Sequence, residues 1–114
     1  MTDTIFDKII RKEIPSKIAY EDDDFLVIHD VNPQAPIHLL ILPKYNIPTL
    51  NDTNDTHQIL LGKMLLLAKD LAHKFAIDEK GYRLVLNVNE DGGQTVLHIH
   101  LHLLGGREFG WPPG

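Results

Sequence analysis

A chain of 114 residues, 43% apolar and 24% charged, has the make-up of one globular domain, and with no cysteine it excludes disulfides and thiolate metal sites. The net charge of −5 argues against a general grip on nucleic acid, which needs clustered Lys and Arg. Nothing approaches the ~18 consecutive apolar residues of a membrane span, and "MTDTIFDKII" lacks the apolar core of a secretory leader; a single cytoplasmic domain, residues 1–114, is expected.

In chain order, "DTIFDKIIRKEIP" predicts a short helix capped by Asp3 or Thr2, with an Ile5, Phe6, Ile9, Ile10 stripe and Pro15 closing it. "KIAYEDDDFLVIHD" predicts a hairpin: Ile18 and Tyr20 in one strand, an acidic turn at Asp22 to Asp24, then Phe25 to His29. "VNPQAP" is a loop, and the nearly continuous apolar run "IHLLILP" suits a central strand. Leu60, Met64, Leu67 and Leu71 keep helical spacing in a long segment that Asn54 or Thr53 would cap and Gly81 would follow. "YRLVLNVN", the turn "EDGG" and "TVLHIHLHLL" then predict a second hairpin. The expected class is α+β: about five antiparallel strands, one short N-terminal helix and one long helix.

His98, His100 and His102 fall at every second position of that last strand. They would share one face about 6.6 Å apart, with Ile99, Leu101 and Leu103 on the other. Across about 13 Å the outer pair cannot meet one zinc ion, although two of the three with His38 or His29 could. Imidazole near neutral pH is also a nucleophile and a general acid or base, so three in register suggest acyl or phosphoryl transfer. Asn87 and Thr95 flank the turn, and Gly92–Gly93 can offer backbone N–H groups to an anion, or merely turn the chain. His38, polar within an apolar run, reads on its own as a hydrogen-bonded core histidine; His57 and His73 read as solvated.

"HIHLHLL" matches the alternating histidine motif of the histidine triad (HIT) superfamily. "DTIFDKIIRKEIPSKIAYEDD", "HDVNPQAPIHLLILPK", "GYRLVLNVNEDGGQTVLHIHLHLLGGR" and the closing "WPPG" resemble its histidine triad nucleotide-binding branch over nearly the whole chain. The resemblance implies a HIT-like fold whose sheet continues across a homodimer. It also implies hydrolysis of the P–N bond of purine nucleoside 5′-phosphoramidates through a nucleotidyl-histidine intermediate, without cofactor or metal.

By the same resemblance His100 is the nucleophile, His102 meets the phosphate, and His98 and His38 support the ring network. Asp30, beside His29, accepts from the ribose hydroxyls. Ile5, Phe6, Ile9, Ile28, Val31 and Leu40 form the purine slot. Asn87, Gly93, Gln94, Thr95 and Val96 hold the phosphate and leaving-group side, and Trp111 reaches toward the partner's site. Mammalian members carry Ser where this chain has Thr95; the hydroxyl survives, but its methyl stiffens the side chain and narrows the pocket. The alternatives are cleavage of dinucleoside polyphosphates, which the "WPPG" ending disfavours, and a nucleotide-sensing scaffold whose catalysis is incidental.

Overall fold

The computed structural model describes residues 3–114. Helix α1 (Ile5–Ile10) is followed by strands β1 (Ile18–Glu21), β2 (Phe25–His29) and β3 (Ile37–Pro43), the long helix α2 (Gln58–Lys74), and strands β4 (Tyr82–Val85) and β5 (Leu101–Gly105). The five strands form one antiparallel sheet in the order β1-β2-β3-β5-β4. The expected α+β class is therefore observed.

Thr4, not Asp3, caps α1; its side chain accepts from the Asp7 N–H while the Asp7 carboxylate accepts from the Thr4 N–H. This reciprocal pair satisfies two helix-end donors, and Thr2 lies outside the described residues. The first hairpin is set by Asp22, whose Oδ1 accepts from the backbone N–H of Asp24 and of Phe25, both at 2.8 Å. Asn54 caps a 3-10 turn, Asp55–His57, that runs into α2, so α2 itself starts later than its sequence signal. It also stops well before Gly81: Ala76 takes the left-handed conformation (φ 59°) and the Ile77 N–H closes on Ala72 O.

Strand β3 is apolar apart from His38 because both its faces are covered. Leu39 and Ile41 join Phe25, Val27, Leu101 and Leu103 beneath Met64, Ala68, Leu71 and Ala72 of α2. Leu40 and Leu42 join Leu26 and Ile28 beneath Phe6 and Ile9 of α1. Each fully buried Leu or Ile here contributes roughly 1.5–3 kcal/mol of burial free energy.

The predicted long histidine strand is corrected. Pairing between β3 and β5 ends at Ile41 and Leu101. One step further would set Leu42 against His100, and the next Pro43, which has no N–H, against Ile99. The Ile99 N–H instead donates to Ile47 O at 2.8 Å. His98 and His100 thus approach the sheet in irregular backbone, and only His102 lies within the strand. The second hairpin is likewise no tight turn: residues 86–100 form a long loop, and Asn87 and Thr95 sit on it, outside the ladder.

Candidate active site

The histidines nevertheless converge. His98, His100 and His38 are buried, at 1%, 6% and 6% exposure. Ring centroids lie 5.1 Å apart for His100 and His102 and 5.2 Å for His38 and His102, closer than the same-face spacing of a straight strand. The Phe6 ring of α1 stands edge-on to His100 at 5.0 Å and to His98 at 6.3 Å, closing the site from one side.

Fixed backbone groups assign the protons. The Gln34 N–H donates to His38 Nδ1 at 3.0 Å, so that nitrogen carries a lone pair. A neutral ring must then be protonated at Nε2, which donates to His102 Nδ1 at 2.9 Å. The His102 proton therefore sits on its Nε2. On His100, Nδ1–H donates to the His98 carbonyl at 2.7 Å, leaving Nε2 with an unshared pair. The His98 Nε2–H donates to Pro43 O at 2.8 Å. One free lone pair and one free N–H thus stand on neighbouring rings.

Burial keeps the His38, His100 and His102 rings neutral. It pushes the pKa of His100 and of His38 down, and it takes His102, with the His100 and His38 charges adding to it, down to about 4. A buried group whose folded pKa is depressed contributes stability fully above its unfolded value, here near 6.5, and loses it as pH falls toward the folded one. For His102 that window runs from about 6.5 to about 4, with a loss on the order of 3 kcal/mol at most. Thermal melts across this window should fall steeply, and His102→Asn should flatten the fall; equal slopes in both proteins would assign it to other groups.

Among the described residues, Asp30, His38 and His102 place one donor atom each within 4.8 Å of one another, which invites a metal. The proton order opposes it. His38 Nε2, the nitrogen facing Asp30 Oδ2 at 3.4 Å, is a donor as long as Gln34 N–H occupies Nδ1, and a donor nitrogen cannot ligate.

The structure brings together only part of the expected substrate set. Phe6, Ile9, Ile28 and Leu40 form one apolar cluster, with Val96 packed against it. His102 extends the cross-strand row Ile28, Leu40, His102, Val85. Asp30 follows β2 with Oδ1 accepting from the Asn32 N–H, and Oδ2 faces His38. His29 is not brought in: it alternates to the opposite face and its ring meets Phe75 beyond α2. Gln94 spends its amide bracing the loop, accepting from the Asn89 N–H and donating to Pro48 O and Val96 O. Ile5, Val31 and Trp111 are 50%, 98% and 84% exposed and stand outside the cluster. Asn87 is half-buried; Gly93 and Thr95 are exposed on the long loop, Gly93 at φ 82°.

Sequence reasoning missed Gln34, whose contribution is a backbone N–H and leaves no side-chain signal. It also missed Asp7, although the Thr4-x-x-Asp7 spacing is a capping box in plain view.

The HIT domain family profile matches residues 11–109, nearly the whole of this architecture and all four clustered histidines. The chain belongs to the HIT domain family. It is 53% identical over 108 residues to the purine nucleoside phosphoramidase of Escherichia coli K12, covering 95% of this chain and 91% of that one. It is 54% identical over 112 residues to an uncharacterised HIT-like protein of Synechococcus elongatus, covering 98% and 97%. The crystal structure of a HIT family hydrolase from Legionella pneumophila superposes with a TM-score of 0.95 at 55% identity, covering 96% of this chain and 98% of that one. The fold of that hydrolase is therefore the one described above.

Proposed function

We propose that this HIT protein is a purine nucleoside phosphoramidase, with residues 1–114 acting as one domain. The observation that carries the chemistry is the proton order: His100 Nε2 offers a lone pair beside the ring whose Nε2–H is free, 5.1 Å away between centroids. The identity to the E. coli phosphoramidase supports the choice of bond.

In this reading His100 Nε2 attacks the α-phosphorus of a nucleoside 5′-phosphoramidate. The N–P bond to His100 forms as the P–N bond to the amine breaks, and the amine leaves with a proton from solvent, which the attacking water gives back in the next step. Water then attacks the nucleotidyl-histidine, releasing the nucleoside 5′-monophosphate and restoring His100. The His102 Nε2–H meets the phosphoryl oxygens, and the His98 carbonyl holds the nucleophile in the reactive tautomer. Phe6, Ile9, Ile28 and Leu40 supply the floor of the purine slot, with exposed Ile5 and Val31 as its outer walls. Asp30 takes the ribose hydroxyls, since a carboxylate accepts from two adjacent O–H donors. Asn87, Gly93, Thr95 and Val96 on the long loop border the leaving amine.

A homodimer is part of the proposal. Strand β4 is the last in the order of strands, so one side of its backbone awaits a partner. Leu65 and Leu66 of α2 are 53% and 59% exposed, an apolar surface suited to a second copy. Trp111, 84% exposed here, would lie at the partner's site. An enzyme of nucleotide metabolism belongs where nucleotides are made and used, so its proposed place is the cytoplasm.

The test is turnover of adenosine 5′-monophosphoramidate with and without a chelator. The expected result is release of adenosine 5′-monophosphate at a rate the chelator leaves unchanged. Activity lost to chelator and restored by Zn²⁺ would overturn the metal-free mechanism. Tight nucleotide binding without hydrolysis would mark a nucleotide sensor instead.

A further inference from the structure

We propose that Asp7 is a positioning residue of the histidine site, keeping His98 protonated on both ring nitrogens and thereby tying α1 to the nucleophile. His98 is 1% exposed, and its Nε2–H is committed to Pro43 O. Its Nδ1 is buried with no hydrogen-bond partner, and the nearest charged atom is Asp7 Oδ1 at 3.5 Å. A neutral His98 would therefore leave its buried Nδ1 lone pair unsatisfied and facing a carboxylate oxygen, lone pair against negative charge. With a proton on Nδ1 the same geometry becomes a charge-assisted contact. The Asp7 side chain is 14% exposed and cannot swing away freely, because Thr4 N–H and Oγ1 hold its Oδ2 at 2.8 and 3.0 Å. One carboxylate thus serves two purposes: Oδ2 caps the helix, and Oδ1 faces the buried histidine.

The effect reaches the reacting atom through His100. That ring donates to the His98 carbonyl and shares the Phe6 edge with His98. Burial first, and a charge on His98 in the same direction, push His100 toward its neutral form, while the His98 carbonyl and the Asp30 charge oppose them. The groups facing this pair are Asp7 from α1, Asp30 after β2, His38 and Pro43 O on β3, and His102 on β5. A positive His98 thus keeps the His100 lone pair available at lower pH.

The kinetic arm rests on the phosphoramidase reading; the spectroscopic arm does not. Imidazole nitrogen resonances of the ¹⁵N-labelled full chain at pH 7 should show both His98 nitrogens protonated. In Asp7→Asn the amide donates to Nδ1 instead, so His98 should carry a proton on Nε2 alone. The acid limb of kcat against pH should move upward, with a several-fold lower rate at pH 6 and near wild-type rate at pH 8. Thr4→Ala weakens the cap but keeps the carboxylate, so it should follow the wild-type nitrogen pattern and pH profile. A singly protonated His98 in the wild-type protein overturns the proposal whatever the variants do, as does a wild-type nitrogen pattern in Asp7→Asn. If no phosphoramidate is hydrolysed, the nitrogen pattern still decides.

Discussion

Replacing His100 with alanine is expected to abolish turnover, by a factor on the order of 10³ or more, while nucleotide binding persists within a few-fold. The reason is a separation of parts. His100 alone combines a pinned Nδ1–H with a free Nε2 lone pair, because the His98 carbonyl takes the first. His102 has its Nδ1 filled by His38, and the Nε2 of His98 is committed to Pro43. Neither neighbour therefore offers an accessible lone pair for the role proposed for His100, since the remaining nitrogen of His98, Nδ1, is buried against Asp7. The apolar cluster of Phe6, Ile9, Ile28 and Leu40 owes nothing to the His100 nitrogens, so a purine should still bind. His100→Asn, which leaves less of a void, should match the alanine variant in rate. Mass spectrometry of enzyme quenched during turnover locates the nucleotidyl adduct, and titration calorimetry with adenosine 5′-monophosphate reads binding. An adduct on His98 or His102, or a near-normal rate in either variant, would show that the wrong ring has been chosen.

The second large effect is expected at His38. This ring never needs to touch the reacting phosphorus, yet its Nε2–H fixes which nitrogen of His102 is protonated. His38→Ala removes that donor and strands the Gln34 N–H. His102 can then protonate on Nδ1 and lose the Nε2–H proposed to meet the phosphate. Wrong-tautomer histidines cost orders of magnitude in other catalytic sites; here kcat should fall by a factor on the order of 10². The loss should be mainly in kcat rather than KM, since Asp30 and the apolar cluster remain. Nitrogen resonances of His102 should show the tautomer change in a protein whose melt confirms folding. An unchanged His102 tautomer, or a kcat within twofold of wild type, would refute the relay.

Much of the fold was legible in the residues. The bounds of β2 and β3 agree with their apolar runs, because strands covered on both faces have no polar alternation to blur them. The Asp22 turn was legible because its chemistry is local: one carboxylate accepts from two nearby N–H groups. The motif spacing also singled out His98, His100 and His102 together, and the resemblance added His38 and Asp30.

Other features needed the third dimension. The histidine strand was overextended because period-two alternation continues through His98 and His100. What ends it is a neighbour 55 residues away from His98: Pro43, with no N–H for the ladder and a carbonyl that captures the His98 ring. His29, like His38, could have joined two of the alternating histidines, yet strand alternation and Phe75 place it on the far face. Tautomers lay beyond the sequence altogether, since backbone groups of Gln34, Pro43 and His98 assign them, and a backbone N–H or C=O has the same letter wherever it points. The sequence by itself thus determined which histidines stand out and where β2 and β3 run. Only the tertiary structure decided which nitrogen holds a proton, because that depends on long-range contacts between groups that every residue possesses.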